Sequence, residues 1–306
     1  MISQKEFISE SFPKMGFRHR ILRRMYEYAS RIKLAIMPFP FVDERVQHVE
    51  DFVFLMIFNK KTFIYAKATL YSFLKNSKDI PKLIVLVSDG TWNIDEGEQF
   101  FSSFSNYNIR CESFQNSIDF FKNKGEVSLT QWAEKHIWGK KYAAITRYAE
   151  NSLVLFSDPD VLWYSSPFSS DDFLQQEMLK LSIDNSHNYD KNLLEKLDLN
   201  ILFDEIPINC GVVCMRGDVR MFHQISGVYD ALDYEAEFAG SFAEQTIFAI
   251  EYLKYKNVWT ENEISASISD MLQPYFKMNH YPLGFIARHY LFVLKWIYWK
   301  DFLMKI

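Results

Sequence analysis

The chain has 306 residues, with 34 Lys and Arg against 39 Asp and Glu and a net charge of −5. Apolar residues at 48% and charged residues at 24% describe a globular protein and exclude a mainly disordered one. The acidic balance supplies no overall basic field to recruit nucleic acid, and the absence of GxGxxG and GxxxxGK[ST] excludes the dinucleotide and P-loop fingerprints.

Lys14–Lys33 opens the pattern. Its bases Lys14, Arg18, Arg20, Arg23, Arg24, Arg31 and Lys33 face one acid, Glu27, and Ile21, Met25, Tyr28 and Ile32 recur at helical spacing. This predicts a basic amphipathic helix, ended by Pro38 and Pro40. Residues 1–50 are therefore read as an N-terminal extension. Met1–Lys14 has no apolar run of the kind a cleaved signal carries, so none is expected. Phe52–Phe58 (FVFLMIF) is continuously apolar, as a strand buried on both faces must be. Phe63–Leu74 has helical spacing, and Lys82–Val87 is a second buried strand closed by Ser88, Asp89 and Gly90. A helix over Ile94–Phe104, a strand over Ile109–Phe114, a long helix over Leu129–Ala149 and a strand over Ser152–Phe156 follow. Strands over Met178–Ile183 and Ile206–Met215 and helices over Asp218–Leu232 and Phe242–Tyr255 complete the second half. This alternation predicts an α/β fold with a mostly parallel sheet flanked by helices. Residues 51–290 form its main domain, and 291–306 an aromatic, lysine-bearing helix. Cys111, Cys210 and Cys214 form no CxxC and read as reduced thiols of a cytoplasmic chain.

Ligands of such sheets bind beyond the carboxyl ends of the strands. Asp158 and Asp160 stand there, after Ser152–Phe156, two residues apart and so on one side of an extended backbone. Such a pair can hold a hard divalent cation, whose shell phosphate oxygens complete; a solvated turn is the alternative. Asp89 occupies the corresponding place after the second strand, where it either contacts a ligand or closes a turn.

These segments resemble, in order, a GT-A-fold glycosyltransferase that uses a nucleotide-diphosphate sugar, nearest to family 8 and related retaining enzymes. The similarity covers about residues 52–290. It rests on YAKATLYSFL at Tyr65–Leu74, Val87–Gly90, KYAAI from Lys141, the Asp158–Asp160 pair, NCGVV from Asn209, Glu244–Gln245 and HYPLG from His280 to Gly284. Cys210 stands where Ser or Thr is usual and Glu244 where Asp is common. Gly284 follows His280 by four residues instead of three, and Arg288 by eight where the family has Lys at six.

The resemblance implies a metal-dependent hexosyltransferase that moves sugar from a donor, UDP-linked by expectation, to a glycan or lipid-linked acceptor with retention. It implies Mn²⁺ (or Mg²⁺) on Asp158, Asp160 and His280. It places Asp89, Lys141, Asp158, Asn209, Gly211, Gly284 and Arg288 on the donor, and Glu244 and Gln245 near the anomeric carbon. A core histidine, a solvated arginine, a surface helix lysine and an exposed helix start remain the alternatives at His280, Arg288, Lys141 and Glu244. A nucleotidyltransferase that makes nucleotide sugars and a non-catalytic, membrane-associated protein of the same fold are the alternative functions. The basic first helix and the aromatic tail both have interfacial composition, so peripheral attachment at the inner face of a membrane is a further expectation.

Overall fold

The computed structural model describes residues 17–36, 48–217, 227–232, 240–266, 284–291 and 295–306. Helix α1 (Phe17–Ile36) precedes strand β1 (His48–Phe58). The apolar run of β1 divides by its period of two: Phe52, Phe54, Met56 and Phe58 enter one core layer, and Val53, Leu55 and Ile57 the other. A strand that must satisfy two apolar layers has no polar side to spare, which is why its sequence does not alternate.

The chain continues through α2 (Phe63–Asn76), β2 (Asp79–Ser88), α3 (Ile94–Phe101), β3 (Ile109–Ser113) and α4 (Gln115–Asn123). An Asn93–Glu96 capping box starts α3. The long helix expected over Leu129–Ala149 is two helices, α5 (Val127–Lys135) and α6 (Ile137–Ala149), separated by extended backbone at His136. The break lets α6 fold back on α5 so tightly that a Cβ at Gly139 would lie 2.7 Å from the Trp132 carbonyl. Next come β4 (Leu153–Ser157), β5 (Val161–Trp163), β6 (Met178–Ile183), α7 (Lys191–Lys196) and β7 (Ile208–Arg216). The last described elements are α8 (Gly240–Tyr255), β8 (Val258–Trp259), β9 (Ile264–Ser265), β10 (Ala287–His289) and α9 (Lys295–Lys305). Of the helix expected over Asp218–Leu232, residues 218–226 lie outside the described residues and 227–231 form a turn.

The main sheet runs β3-β2-β1-β4-β7-β6-β8, and a second sheet runs β5-β10-β9. β1 pairs in parallel with both β2 and β4, while β7 is antiparallel to β4 and β6. The expected α/β, mostly parallel sheet is therefore present. The chain leaves β1 first towards β2 and only later returns to β1's other side with β4. That reversal makes the carboxyl edge between β1 and β4 a topological switch point, the place where open α/β sheets take ligands. Because β6 is antiparallel to β7, which is antiparallel to β4, β6 also ends at this edge, and β7 begins there.

Helices α1 and α9 pack together at the other extremity of the chain's path. Ser30 donates to the Trp299 carbonyl at 3.1 Å, and Lys33 to those of Phe302 and Leu303. Ile297, Tyr298, Trp299 and Phe302 of α9 belong to the core layer that contains α2. The three cysteines are free and buried, as the sequence implied.

Candidate metal and donor site

β4 delivers its last apolar residue, Phe156, into the core and ends at Ser157, so Asp158 is the first side chain beyond the sheet. The Asp158 amide donates to the Gly211 carbonyl at 2.7 Å, which carries the β4–β7 pairing one residue past the strand. Pro159 and Asp160 then turn into β5, whose register with β10 is antiparallel and sets Val161 opposite His289. The Tyr290 amide donates to the Asp160 carbonyl at 2.9 Å. This pairing brings a histidine from far along the chain onto the aspartate pair. Asp158, Asp160 and His289 each offer a ligand atom, all within 4.8 Å of one another. His289 Nε2 lies 3.3 Å from Asp160 Oδ1 and 3.7 Å from Asp158 Oδ2. The carboxylates are half-buried and reachable from solvent, while the imidazole is buried.

The neighbours of His289 decide which ring nitrogen faces the carboxylates. Asn209 Oδ1 accepts the Gly211 N–H at 2.9 Å, and Asn209 Nδ2 donates to Asp184 Oδ2 at 3.3 Å. Both partners fix the amide's orientation, since one is a donor only and the other an acceptor only. His289 Nδ1 is 3.1 Å from the same Asn209 oxygen and so must be the protonated nitrogen. Nε2 is therefore the nitrogen that faces Asp158 and Asp160; it hydrogen-bonds Asp160 when protonated and would ligate a cation once that proton is lost, with Asn209 as the partner behind the ring. Gly211 is required beside it: a Cβ there would come within 2.2 Å of His289 Cε1 and Nδ1. Burial lowers the basicity of His289, but hydrogen bonding and charge from Asp160, then Asp158, overcome that and raise it. Two carboxylates and a neutral imidazole are a donor set that fits Mn²⁺ or Mg²⁺, the nitrogen favouring Mn²⁺.

Behind the pair lies a buried ionic chain. Lys141 Nζ is 3.1 Å from Asp158 Oδ1 and 3.1 Å from Glu244 Oε1, and it sits over the Phe156 ring. Burial opposes its charge, yet the Asp158 and Glu244 carboxylates hold the ammonium well above the ordinary lysine range. Burial pushes Glu244 up to about 7, against the pull of Lys141 and a hydrogen bond from the Cys210 thiol. The thiol itself is pushed far up by burial, then by Glu244, and stays protonated.

The expected residues divide accordingly. Asp158, Asp160, Lys141, Asn209, Gly211, Glu244 and Gln245 converge on the switch point, Gln245 through a 3.2 Å bond to Asp184. Lys141 spans two carboxylates in the interior, which replaces the alternative of a surface helix lysine; Glu244 is likewise buried, not an exposed helix start. Asp89 closes a turn, accepting from the Thr91 amide and hydroxyl at 2.9 and 2.7 Å, while its carbonyl accepts from Lys140. Arg288 precedes His289 on β10 and so points to the opposite face, where it is buried over the Tyr290 ring. It is not brought to the aspartate pair and is not a solvated arginine. Gly284 lies in a turn with φ +127° and open space where a Cβ would be. His280 lies outside the described residues; among those described, the histidine at the pair is His289. Asp184 was not singled out by sequence. It carries the same signal as Asp158, an acid directly after a buried strand, and it accepts from both Asn209 and Gln245.

The sequence matches no family model and no curated protein. Similar solved structures exist at low identity. One is the apo form of mouse xyloside xylosyltransferase 1, 13% identical, with a TM-score of 0.49 over 78% of this chain and 97% of that one. Another is the galactosyltransferase LgtC with donor and acceptor sugar analogues, 15% identical, with a TM-score of 0.46 over 79% and 87%. A third is core-mannan synthase A of Aspergillus fumigatus in its Mn/GDP form, 9% identical, with a TM-score of 0.42 over 70% and 73%.

Proposed function

We propose that this chain is a metal-dependent glycosyltransferase that moves a hexose-like sugar from a nucleotide-diphosphate donor, UDP-linked, to a glycan or lipid-linked acceptor with retention. One observation carries the reading: Asp158, Asp160 and His289 converge at the sheet's switch point, with Nε2 of the histidine turned to the carboxylates. A bound Mn²⁺ or Mg²⁺ would supply positive charge to a departing diphosphate. Asp158, Asp160 and His289 are the residues that would hold that cation. Lys141 fixes the rotamer of Asp158 and neutralises it from behind, so the pair meets its cation already oriented. Glu244 is held on Lys141 in the interior, and the partly buried Gln245 on Asp184, so the amide is the member of the pair that could meet the sugar.

A donor screen tests this. NDP release from a panel of nucleotide sugars is followed with Mn²⁺ and with EDTA, for the wild type and for Asp160→Asn. One donor is expected to be turned over in a Mn²⁺-dependent way. The variant should lose at least 100-fold while keeping its melting temperature, since an amide is a poor hard-cation ligand. Full turnover in EDTA, or in the variant, overturns the proposal.

A further inference from the structure

Helix α1 is fixed to the protein by one face and presents a different, apolar one to solvent. Ser30 and Leu34 are buried, and Ser30 and Lys33 bond to the carbonyls of α9. Away from that contact, Ile21, Met25, Tyr28, Ile32 and Ile36 follow one another at helical spacing, within about 80° of arc at 3.6 residues per turn. They are exposed, Met25 by 61%, Tyr28 by 69% and Ile36 by 75%. Five of the thirteen exposed large apolar residues among those described therefore lie in this one stripe. Isolated exposed apolar residues are ordinary on a protein surface, but a continuous ridge of them marks a contact.

The charge beside the ridge selects the partner. Arg20, Arg24 and Arg31 are exposed along one edge of it, and Glu27 is the helix's single acid, ion-paired with Arg31. The helix carries six basic residues against that acid, in a chain whose net charge is −5. We propose that this face of α1 docks on an anionic lipid bilayer, with the apolar ridge in the acyl boundary and the arginines at the headgroups. An antiparallel two-fold contact of the ridge with a second copy would oppose arginine edge to arginine edge, which disfavours that pairing. The helix lies on the membrane: no helix among the described residues is long and apolar enough to cross one.

The attachment is mechanically tied to the metal site. Helix α9, under α1, places the Tyr298 hydroxyl 3.2 Å from Thr69 Oγ1, and Thr69 bonds the carbonyls of Pro159 and Val161 at 2.6 and 2.7 Å. The aspartate pair would thus be held in a fixed relation to the bilayer, as an enzyme with a membrane-borne acceptor requires.

Co-sedimentation of the full chain tests the docking independently of any activity. Vesicles of mixed phosphatidylglycerol and phosphatidylcholine are compared with pure phosphatidylcholine at low and high salt. The protein is expected to pellet with the anionic vesicles at low salt, to release as salt rises, and to stay in the supernatant with neutral ones. Arg20→Glu with Arg24→Glu should weaken partitioning at least tenfold, and Met25→Glu with Ile32→Glu should abolish it. Both pairs are exposed, so melting temperatures should remain within a few degrees of the wild type. Failure to pellet with anionic vesicles at low salt overturns the proposal, as does binding that neither double variant reduces. A dimer in sedimentation velocity that Met25→Glu dissociates, without vesicle binding by the wild type, overturns it in favour of self-association.

Discussion

Asn209 does three things with one amide: it accepts the Gly211 N–H, donates a hydrogen bond to Asp184 and fixes the protonated nitrogen of His289. It touches no ligand atom of the aspartate pair, so its effect on a bound cation runs through the imidazole's tautomer and orientation. Residues in that position typically alter metal affinity by 10- to 100-fold. Asn209→Ala is accordingly expected to weaken Mn²⁺ binding, measured by calorimetry, by about that factor. Gly211→Ala should do at least as much by a different route. Its methyl group would occupy the space of the His289 ring, at 2.2 Å from two ring atoms, so the imidazole must turn away from Asp160. Mn²⁺ affinity equal to wild type in both variants would remove His289 from the ligand set.

The element that delivers His289 is three residues long, and here the limits of sequence reading become physical. Asp158 and Asp160 were legible because one local run contains both the buried strand and the acids that follow it. Asn209 and Gly211 were legible for the same reason, as the start of an apolar strand. β10 has no such run. Its place is set by antiparallel pairing with β5, more than a hundred residues earlier, and a three-residue strand leaves no periodicity to read. His280 drew the ligand role instead, through motif resemblance. The contact of Lys141 with Glu244 was equally out of reach: each residue was singled out alone, but only the packing of α6 against α8 joins them. Farther along these two helices is a second buried carboxyl. Tyr142 donates to Glu251 at 2.6 Å, and burial pushes Glu251 up to about 8 in spite of that bond. Its folded value lies above its unfolded one, so the folded state binds more protons between about pH 4.5 and 8, and stability falls as pH rises through that window. The melting temperature is expected to drop from about pH 5 to about pH 8.5, and Glu251→Gln should flatten that drop because it keeps an acceptor for Tyr142 without a charge to bury. Parallel pH profiles of the two proteins would show that Glu251 does not carry the dependence.

At the scale of the whole molecule, helices α1 and α9 share an interfacial composition but differ in what their apolar side chains meet. Composition alone cannot separate an aromatic helix that covers a core from one that meets a membrane; only the tertiary contact does. In α9 the contact is internal. Trp299 is fully buried, its ring lies 4.6 Å from that of Tyr65, and its indole N–H donates to the Tyr65 hydroxyl. Tyr298 packs at right angles to it and reaches the Tyr65 carbonyl and Thr69. The helix thus closes the core layer on the α2 side, supports the outer helix α1 and steadies the chain between Asp158 and β5. Removing the Trp299 ring leaves a cavity under all three. Trp299→Ala is expected to cost about 3–5 kcal/mol. In a chain of this length that corresponds to a fall in melting temperature of roughly 5–8 °C. Differential scanning calorimetry checks the figure, and the same sample on anionic vesicles checks the division of labour. At a temperature where the variant is still folded, its partitioning should match the wild type, because Trp299 faces inward and the docking face belongs to α1. A stable Trp299→Ala protein that no longer binds vesicles would reverse the assignment and make α9 the surface helix.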